Sequence, residues 1–152
     1  MSELQFSRLS PDDIEEVAAL EKETFGHEAW TRKDFIEVLD LPYAYYLIAR
    51  IDGELAGCCG LRNMCGDGDI TNVMVSLRHR RKGIGERMLS ELMLRTLPLG
   101  VRAFTLEVRS RNYPAISLYE KLGFSREGLR RGFYKEPADD ALIFWKRQGP
   151  PL

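Results

Sequence analysis

The sequence predicts an α+β domain in which a mixed, mostly antiparallel sheet of seven strands is flanked by four helices. Three observations lead there. Two early segments open on helix-capping residues and continue with apolar residues at helical spacing. A central block, 43–75, is aromatic and β-branched and is interrupted by glycine turn signals. From residue 84 onward, helix-like and strand-like patterns alternate. The 152 residues suit one domain, taken as 1–147, with 148–152 as a flexible tail.

Leu4–Leu9 alternates weakly and reads as the opening strand. Ser10-Pro11-Asp12-Asp13 starts a helix that runs to about Thr24, with Ile14, Val17, Ala18 and Glu21 on one face and Leu9 stapled to Ile14. Thr31 caps a second helix, Asp34 bonds back to the cap, and Trp30 staples to Phe35; the helix ends near Asp40, before Leu41-Pro42. Tyr43–Ile51, Leu55–Asn63 and Ile70–Val75 form an antiparallel meander with turns at Asp52-Gly53 and Gly66-Asp67-Gly68-Asp69. Ile84, Met88, Leu89, Leu92 and Met93 form the stripe of a third helix, stopped by Leu97-Pro98 and Gly100. Ala103–Val108 is a strand with Phe104, Leu106 and Val108 on one face and Thr105 and Glu107 on the other. Asn112–Leu122 is a short helix with Gly123 past its end, and Phe124–Phe133 and Ala141–Lys146 are the last strands.

Composition narrows the function. With 44% hydrophobic and 30% charged residues the chain is not disordered. A net charge of −1 argues against direct binding of nucleic acid through bulk electrostatics. No membrane span and no secretion signal are visible, so a cytoplasmic location is expected. Cys58, Cys59 and Cys65 are read as buried small apolar residues in a reducing compartment; neither a disulfide nor a metal site is expected.

Two segments carry chemistry. In the first, Val73-Met74-Val75 leads into Ser-Leu-Arg-His-Arg80-Arg81-Lys82-Gly83-Ile84-Gly85 and directly into a helix. Amides at a helix start have no intrahelical acceptor, and the helix dipole makes that end positive. Gly83 and Gly85 leave this backbone bare, and Arg80, Arg81 and Lys82 add charge, so the segment reads as a pyrophosphate cradle. It has neither the nucleoside-triphosphate loop pattern nor the third glycine of the dinucleotide fingerprint, where Met88 stands. In the second segment, a carboxylate on a strand, Glu107, precedes a phenol on the following helix, Tyr119. Such a pair suits a base and an acid held on separate rigid elements.

Together, Arg80-x-x-Gly83-x-Gly85, Leu-Glu107-Val-Arg109 and Asn112-x-x-Ala-Ile-x-Leu-Tyr119-x-x-x-Gly-Phe124 resemble the GNAT family of acetyl-coenzyme A-dependent N-acetyltransferases. Within it the chain is most similar to the branch that acetylates the N-terminal alanine of a small-subunit ribosomal protein. Trp30-Thr31, Arg130-Arg131-x-x-Tyr134 and Asp140-Ala141-Leu142-Ile143 add to that likeness. The resemblance implies acetyl-CoA as co-substrate and a protein N-terminus as acceptor. It places the pantetheine arm along the backbone of Val73, Met74 and Val75 and beside Asn112. It places the pyrophosphate at Arg80–Gly85, where the family often has Gln in place of Arg80. It makes Glu107 the general base and Tyr119 the general acid, and puts Trp30 and Tyr134 around the acceptor. The family's second substrate-gripping tyrosine is Phe133 here. Acidic Glu28, Asp139 and Asp140 would attract a peptide with a basic residue near its N-terminus.

The chemistry favours an α-amine: with pKa near 7.7–8.0 about 10–20% is neutral at pH 7, against about 0.04% of a lysine near 10.4. A phenol near 10 giving its proton to a thiolate near 8.5 is slightly uphill in water, so the site must assist. Two alternatives stay open: the same fold acting on lysine or a small amine, and a non-catalytic acetyl-CoA-binding module.

Overall fold

Two tight turns build the centre of the sheet in the computed structural model, which describes residues 3–148. Asp52 and Gly53 both take positive φ, 50° and 81°, and join β2 (Ala44–Ile51) to β3 (Glu54–Met64). This is the conformation a two-residue hairpin needs to match strand twist. Cys65 and Gly66, at 55° and 100°, turn the chain again into β4 (Asp67–Val75). The second hairpin thus turns at Cys65-Gly66, overlapping only the first residue of the Gly66–Asp69 turn that the sequence suggests, and Asp67–Asp69 are already strand. Gly68 is a strand residue whose missing side chain admits its neighbours: a Cβ there would lie 2.9 Å from Val101 Cγ1 and 3.1 Å from Leu61 Cδ2. Because it occupies the turn, Cys65 is exposed, contrary to expectation, whereas Cys58 and Cys59 are buried. Burial pushes both of those thiols up.

The sheet order is β1-β2-β3-β4-β5-β7-β6, with β1 at Leu4–Arg8, β5 at Ala103–Arg109, β6 at Ser125–Lys135 and β7 at Ala138–Arg147. All pairings are antiparallel except β4 with β5. The last hairpin is longer than its apolar pattern, because Tyr134 pairs with Asp139 and Lys135 with Ala138 among mostly polar residues.

Helix starts follow their caps. Pro11–Asp13 forms a single 3-10 turn before α1 (Ile14–Phe25), and Ser10 N–H and Oγ both donate to Asp13 Oδ2, at 2.9 and 3.0 Å. Arg50 on β2 ties this turn to the sheet through Asp13 and Glu16, at 2.9 and 2.8 Å. Thr31 and Asp34 form the capping box of α2 (Arg32–Leu39), and the Trp30 and Phe35 rings lie 5.2 Å apart. α3 spans Ile84–Thr96 and α4 spans Tyr113–Lys121. Gln148 N–H donates to Arg102 O at 3.1 Å; the rest of the expected tail, 149–152, lies outside the described residues.

The sheet has a core on each face. One joins Leu47, Cys59, Leu61 and Phe104 to α3 and to Tyr119 of α4. The other joins Tyr46, Ile48, Cys58 and Met74 to α1 and α2. Alternation along each strand decides which core a side chain enters, so a residue's parity also decides which side of the functional cleft it can reach.

Candidate active site

β4 and β5 pair only where Asp67–Asp69 meets Ala103–Thr105. Beyond that they part, while β4 stays paired with β3 as far as Val75 and β5 with β7 as far as Arg109. A bulge bends β4 at this point. Cys58 faces Met74 and Gly60 faces Thr71, so Asn72 and Val73 together oppose Cys59. Asn72 takes a left-handed backbone, φ 57°. The extra residue inverts the alternation, so Ile70 packs in the α3 core while Met74 packs in the α1–α2 core. On one edge, the backbone of Ile70–Val75 is left without a ladder partner among the described residues.

A cleft of 670 Å³ opens at the parting, lined by β4 from Asp69 to Val73, β5 from Leu106 to Arg109, and by Asn112 and Tyr119. Glu21, Phe25, Glu28, Trp30, Phe133 and Tyr134 complete its walls. Phe104, Leu106 and Val108 face the α3–α4 core, so Glu107 faces the α1–α2 side of the sheet. Tyr119 comes from α4 on the opposite side, its ring 6.0 Å from Phe124 and 6.2 Å from Phe144. The structure therefore brings Glu107 and Tyr119 to one cleft from opposite faces.

Their surroundings differ. Glu107 is exposed, with Arg130 Nη2 3.5 Å from its Oε1. Tyr119 is only 6% exposed. Burial pushes its phenol well up, and the neighbouring Cys59 and Tyr134 add to that. Tyr134 is itself raised, by burial first and then by the Glu107 charge. Phe133 lies edge-on to Tyr134 at 5.0 Å and is 46% exposed at the mouth. It can pack a substrate but offers no hydroxyl.

Arg109 organises the mouth, although the sequence drew attention to it only as part of a motif. Its guanidinium donates to Glu28 Oε1 at 2.6 Å and to Pro137 O at 2.7 Å, and lies 4.1 Å over the Tyr134 ring. One side chain thus joins the loop after α1, the β6–β7 turn and β5. Glu28 is consequently paired. Asp139 and Asp140 are also engaged within the fold and do not line the cleft. Asp139 accepts from Ser110 Oγ and is held below the usual carboxylate range, chiefly by that bond. Asp140 Oδ1 accepts from Gly132 N–H at 2.8 Å. Of the three acidic residues expected to attract a basic peptide, Glu28 alone lines the cleft, and it is paired with Arg109.

A second polar group, not singled out by sequence, lies on the cleft wall. Glu21 on α1 accepts from Trp30 N–H at 3.1 Å and from Asn72 Nδ2 at 3.2 Å, and Tyr46 Oη is 3.2 Å from Asn72 Oδ1 and 2.6 Å from Thr71 Oγ1. Tyr46 fits because residue 60 is glycine; a Cβ there would sit 2.3 Å from its ring. The spacing of Glu21 from Ile14 and Val17 already places it on the buried face of α1.

The other candidate site lies at the start of α3. Gly83 caps the helix at φ 74° with nothing within 4 Å of a notional Cβ, so its backbone is open to an approaching group. Arg81 is also left-handed, φ 64°, and Arg80 Nε donates to Val75 O at 3.1 Å, fastening the loop to β4. Gly85 has a packing use that its spacing hides: a Cβ would lie 3.2 Å from Leu118 Cδ2, so it lets α3 approach α4. Asn112 Oδ1 accepts from Ala115 N–H at 3.3 Å and caps α4. Among the described residues no cluster of three or more His, Cys, Asp or Glu could hold a metal ion, and no helix is long and apolar enough to cross a membrane.

Comparison with known proteins agrees with this architecture. The model of the acetyltransferase (GNAT) family matches residues 14–124. A Bacillus subtilis protein described as a candidate alanine N-acetyltransferase of ribosomal protein bS18 is 36% identical over 135 residues, covering 88% of this chain and 89% of that one. The N-alpha-acetyltransferase RimI of Mycobacterium tuberculosis is 32% identical over 148 residues, covering 94% and 92%. The crystal structure of the ribosomal-protein-S18-alanine N-acetyltransferase of Escherichia coli shares the fold with a TM-score of 0.88 at 24% identity, covering 99% of this chain and 97% of that one.

The Arg109 clamp has a measurable consequence. Arg109→Met keeps the length of the stem but removes both hydrogen bonds, and should cost about 1–2 kcal/mol of stability. Limited proteolysis should then cut faster within 25–31 and 131–137. Unchanged melting together with unchanged cleavage would contradict the clamp.

Proposed function

The chain belongs to the GNAT acetyltransferase family, and from that premise we propose that it transfers the acetyl group of acetyl-CoA to the free N-terminal amine of a protein. The N-terminal alanine of a small-subunit ribosomal protein is the acceptor to test first. The observation that carries the reading is the meeting of Glu107 and Tyr119 in one cleft from opposite faces of the sheet. A binding module has no use for that pair. The names of the Bacillus and Mycobacterium relatives support an N-terminal acceptor.

In this mechanism the pyrophosphate sits on the backbone of Arg80–Gly85, and the free edge of β4 at Val73, Met74 and Val75 pairs with the pantetheine arm, beside Asn112. The acceptor enters between Trp30 and Tyr134. Glu107 takes a proton from the amine, directly or through a water, and the nitrogen attacks the thioester carbonyl. A backbone amide near Val75 stabilises the oxyanion. The C–S bond breaks, Tyr119 gives its proton to the leaving thiolate, and the proton released as the amide forms restores the phenol. Burial both helps and opposes this last step. It keeps Tyr119 protonated at working pH, yet makes the phenolate costly. A thiolate leaving against the buried phenol would itself lose hydration, which offsets part of the phenolate's cost.

Two measurements test this. Tyr119→Phe deletes one hydroxyl and should lower kcat by about 10²–10⁴-fold while leaving acetyl-CoA affinity unchanged by calorimetry; wild-type turnover would return Tyr119 to a core aromatic. For the acceptor, kcat/KM for an alanine-starting peptide should far exceed that for an N-terminally blocked peptide containing lysine. Equal or better acetylation of the blocked peptide would make this a lysine or small-amine acetyltransferase.

A further inference from the structure

Among the described residues Glu21 is the one buried carboxylate, 2% exposed. A charge in such a place is costly unless it is well bonded. It accepts from Trp30 N–H and, on both oxygens, from Asn72 Nδ2, all neutral donors. Burial raises its pKa, those hydrogen bonds partly offset the rise, and the negative Asp34 adds to it. Fold stability alone would be served as well by an apolar residue on this face of α1.

What the carboxylate touches gives it a different use. Asn72 is the left-handed residue of the β4 bulge. That conformation is strained for a residue with a side chain, although Asn tolerates it better than most. The Asn72 side chain is held from both ends, its amide nitrogen by Glu21 and its oxygen by the Tyr46 hydroxyl. Trp30, whose N–H is the other donor to Glu21, stands on the acceptor side of the same cleft.

We propose that Glu21 is a positioning residue for acyl transfer: by holding Asn72 in its left-handed conformation it fixes the bulge that parts β4 from β5, and so sets the gap in which Glu107 and Tyr119 meet the reacting groups. The inference rests on the reading of the cleft as the acyl-transfer site. Glu21 itself neither binds the amine nor carries its proton.

The test compares Glu21→Gln, Asn72→Asp and the two combined. In Glu21→Gln the side-chain oxygen can still serve Trp30 while its NH2 opposes the Asn72 amide. With acetyl-CoA and an alanine-starting peptide, kcat should fall about 10- to 100-fold, as expected when reacting groups are misplaced by an ångström. KM for acetyl-CoA should rise by no more than a few-fold, because the pyrophosphate loop is separate and only the pantetheine arm meets the loosened backbone of 73–75. Amide hydrogen exchange across 71–75 should rise in parallel. The double variant restores a donor facing an acceptor with the polarity reversed, and should recover most of both kcat and protection. Unchanged exchange and unchanged kcat in Glu21→Gln overturn the proposal, as does a double variant that folds but recovers neither. If the wild type transfers acetyl to no offered amine, the reading of the cleft fails, while the exchange data still decide whether Glu21 holds the bulge.

Discussion

Backbone hydrogen-bonding groups of a central strand are almost always paired, and the chemistry proposed for this fold depends on a stretch of β4 where, on one edge, they are not. β4 lies between β3 and β5, yet its pairing with β5 stops at Asp69. The edge of Ile70–Val75 has no strand ladder beside it, and a ligand with amide groups of its own can pair with the backbone there. Without the bulge at Asn72 and Val73, β4 would have no bend away from β5, and the residues after it would keep the opposite parity. Met74 would then exchange cores with its neighbours.

The same parting solves a problem of access. A thioester and an amine must approach one carbonyl from different directions, and a closed sheet separates its two faces completely. Here the start of α3, the proposed pyrophosphate cradle, and the Tyr119 phenol belong to one face, while Glu107, Trp30 and Tyr134 belong to the other. The parting of β4 and β5 opens a route between them. Arg109 then binds the acceptor-side loops into one wall, so the mouth keeps its shape without contributing to either core.

How much of this could be read from the sequence follows from the range of each interaction. Local signals were legible: Asp52-Gly53 as a hairpin, Thr31 with Asp34 as a capping box, Trp30 on Phe35 as a staple. The element order was legible too, because each element carries its own period. Gly68 misled, since a glycine that makes room for Val101 looks in sequence like a glycine that turns the chain. Cys65 followed the same error into the turn. The partners of Asp139 and Asp140, Ser110 and Gly132, are distant or across a turn, so their bonds leave no local mark in the sequence. The bulge left no local mark, since an asparagine within a β-branched run is an ordinary sight. Glu21 stood on the apolar face of its helix by spacing alone, but its purpose lies in Asn72, 51 residues away.

The central claim is that one gap between β4 and β5 receives both reactants from opposite faces, and a single ligand can probe it. A conjugate in which the sulfur of CoA is joined through an acetyl bridge to the N-terminal nitrogen of an alanine-starting peptide spans both faces only if the gap connects them. Calorimetry should show this conjugate binding at least about 100-fold more tightly than CoA, because the second half binds without a second loss of translational freedom. A conjugate that binds no more tightly than CoA itself would mean that the peptide does not pass through the gap, and would contradict the account.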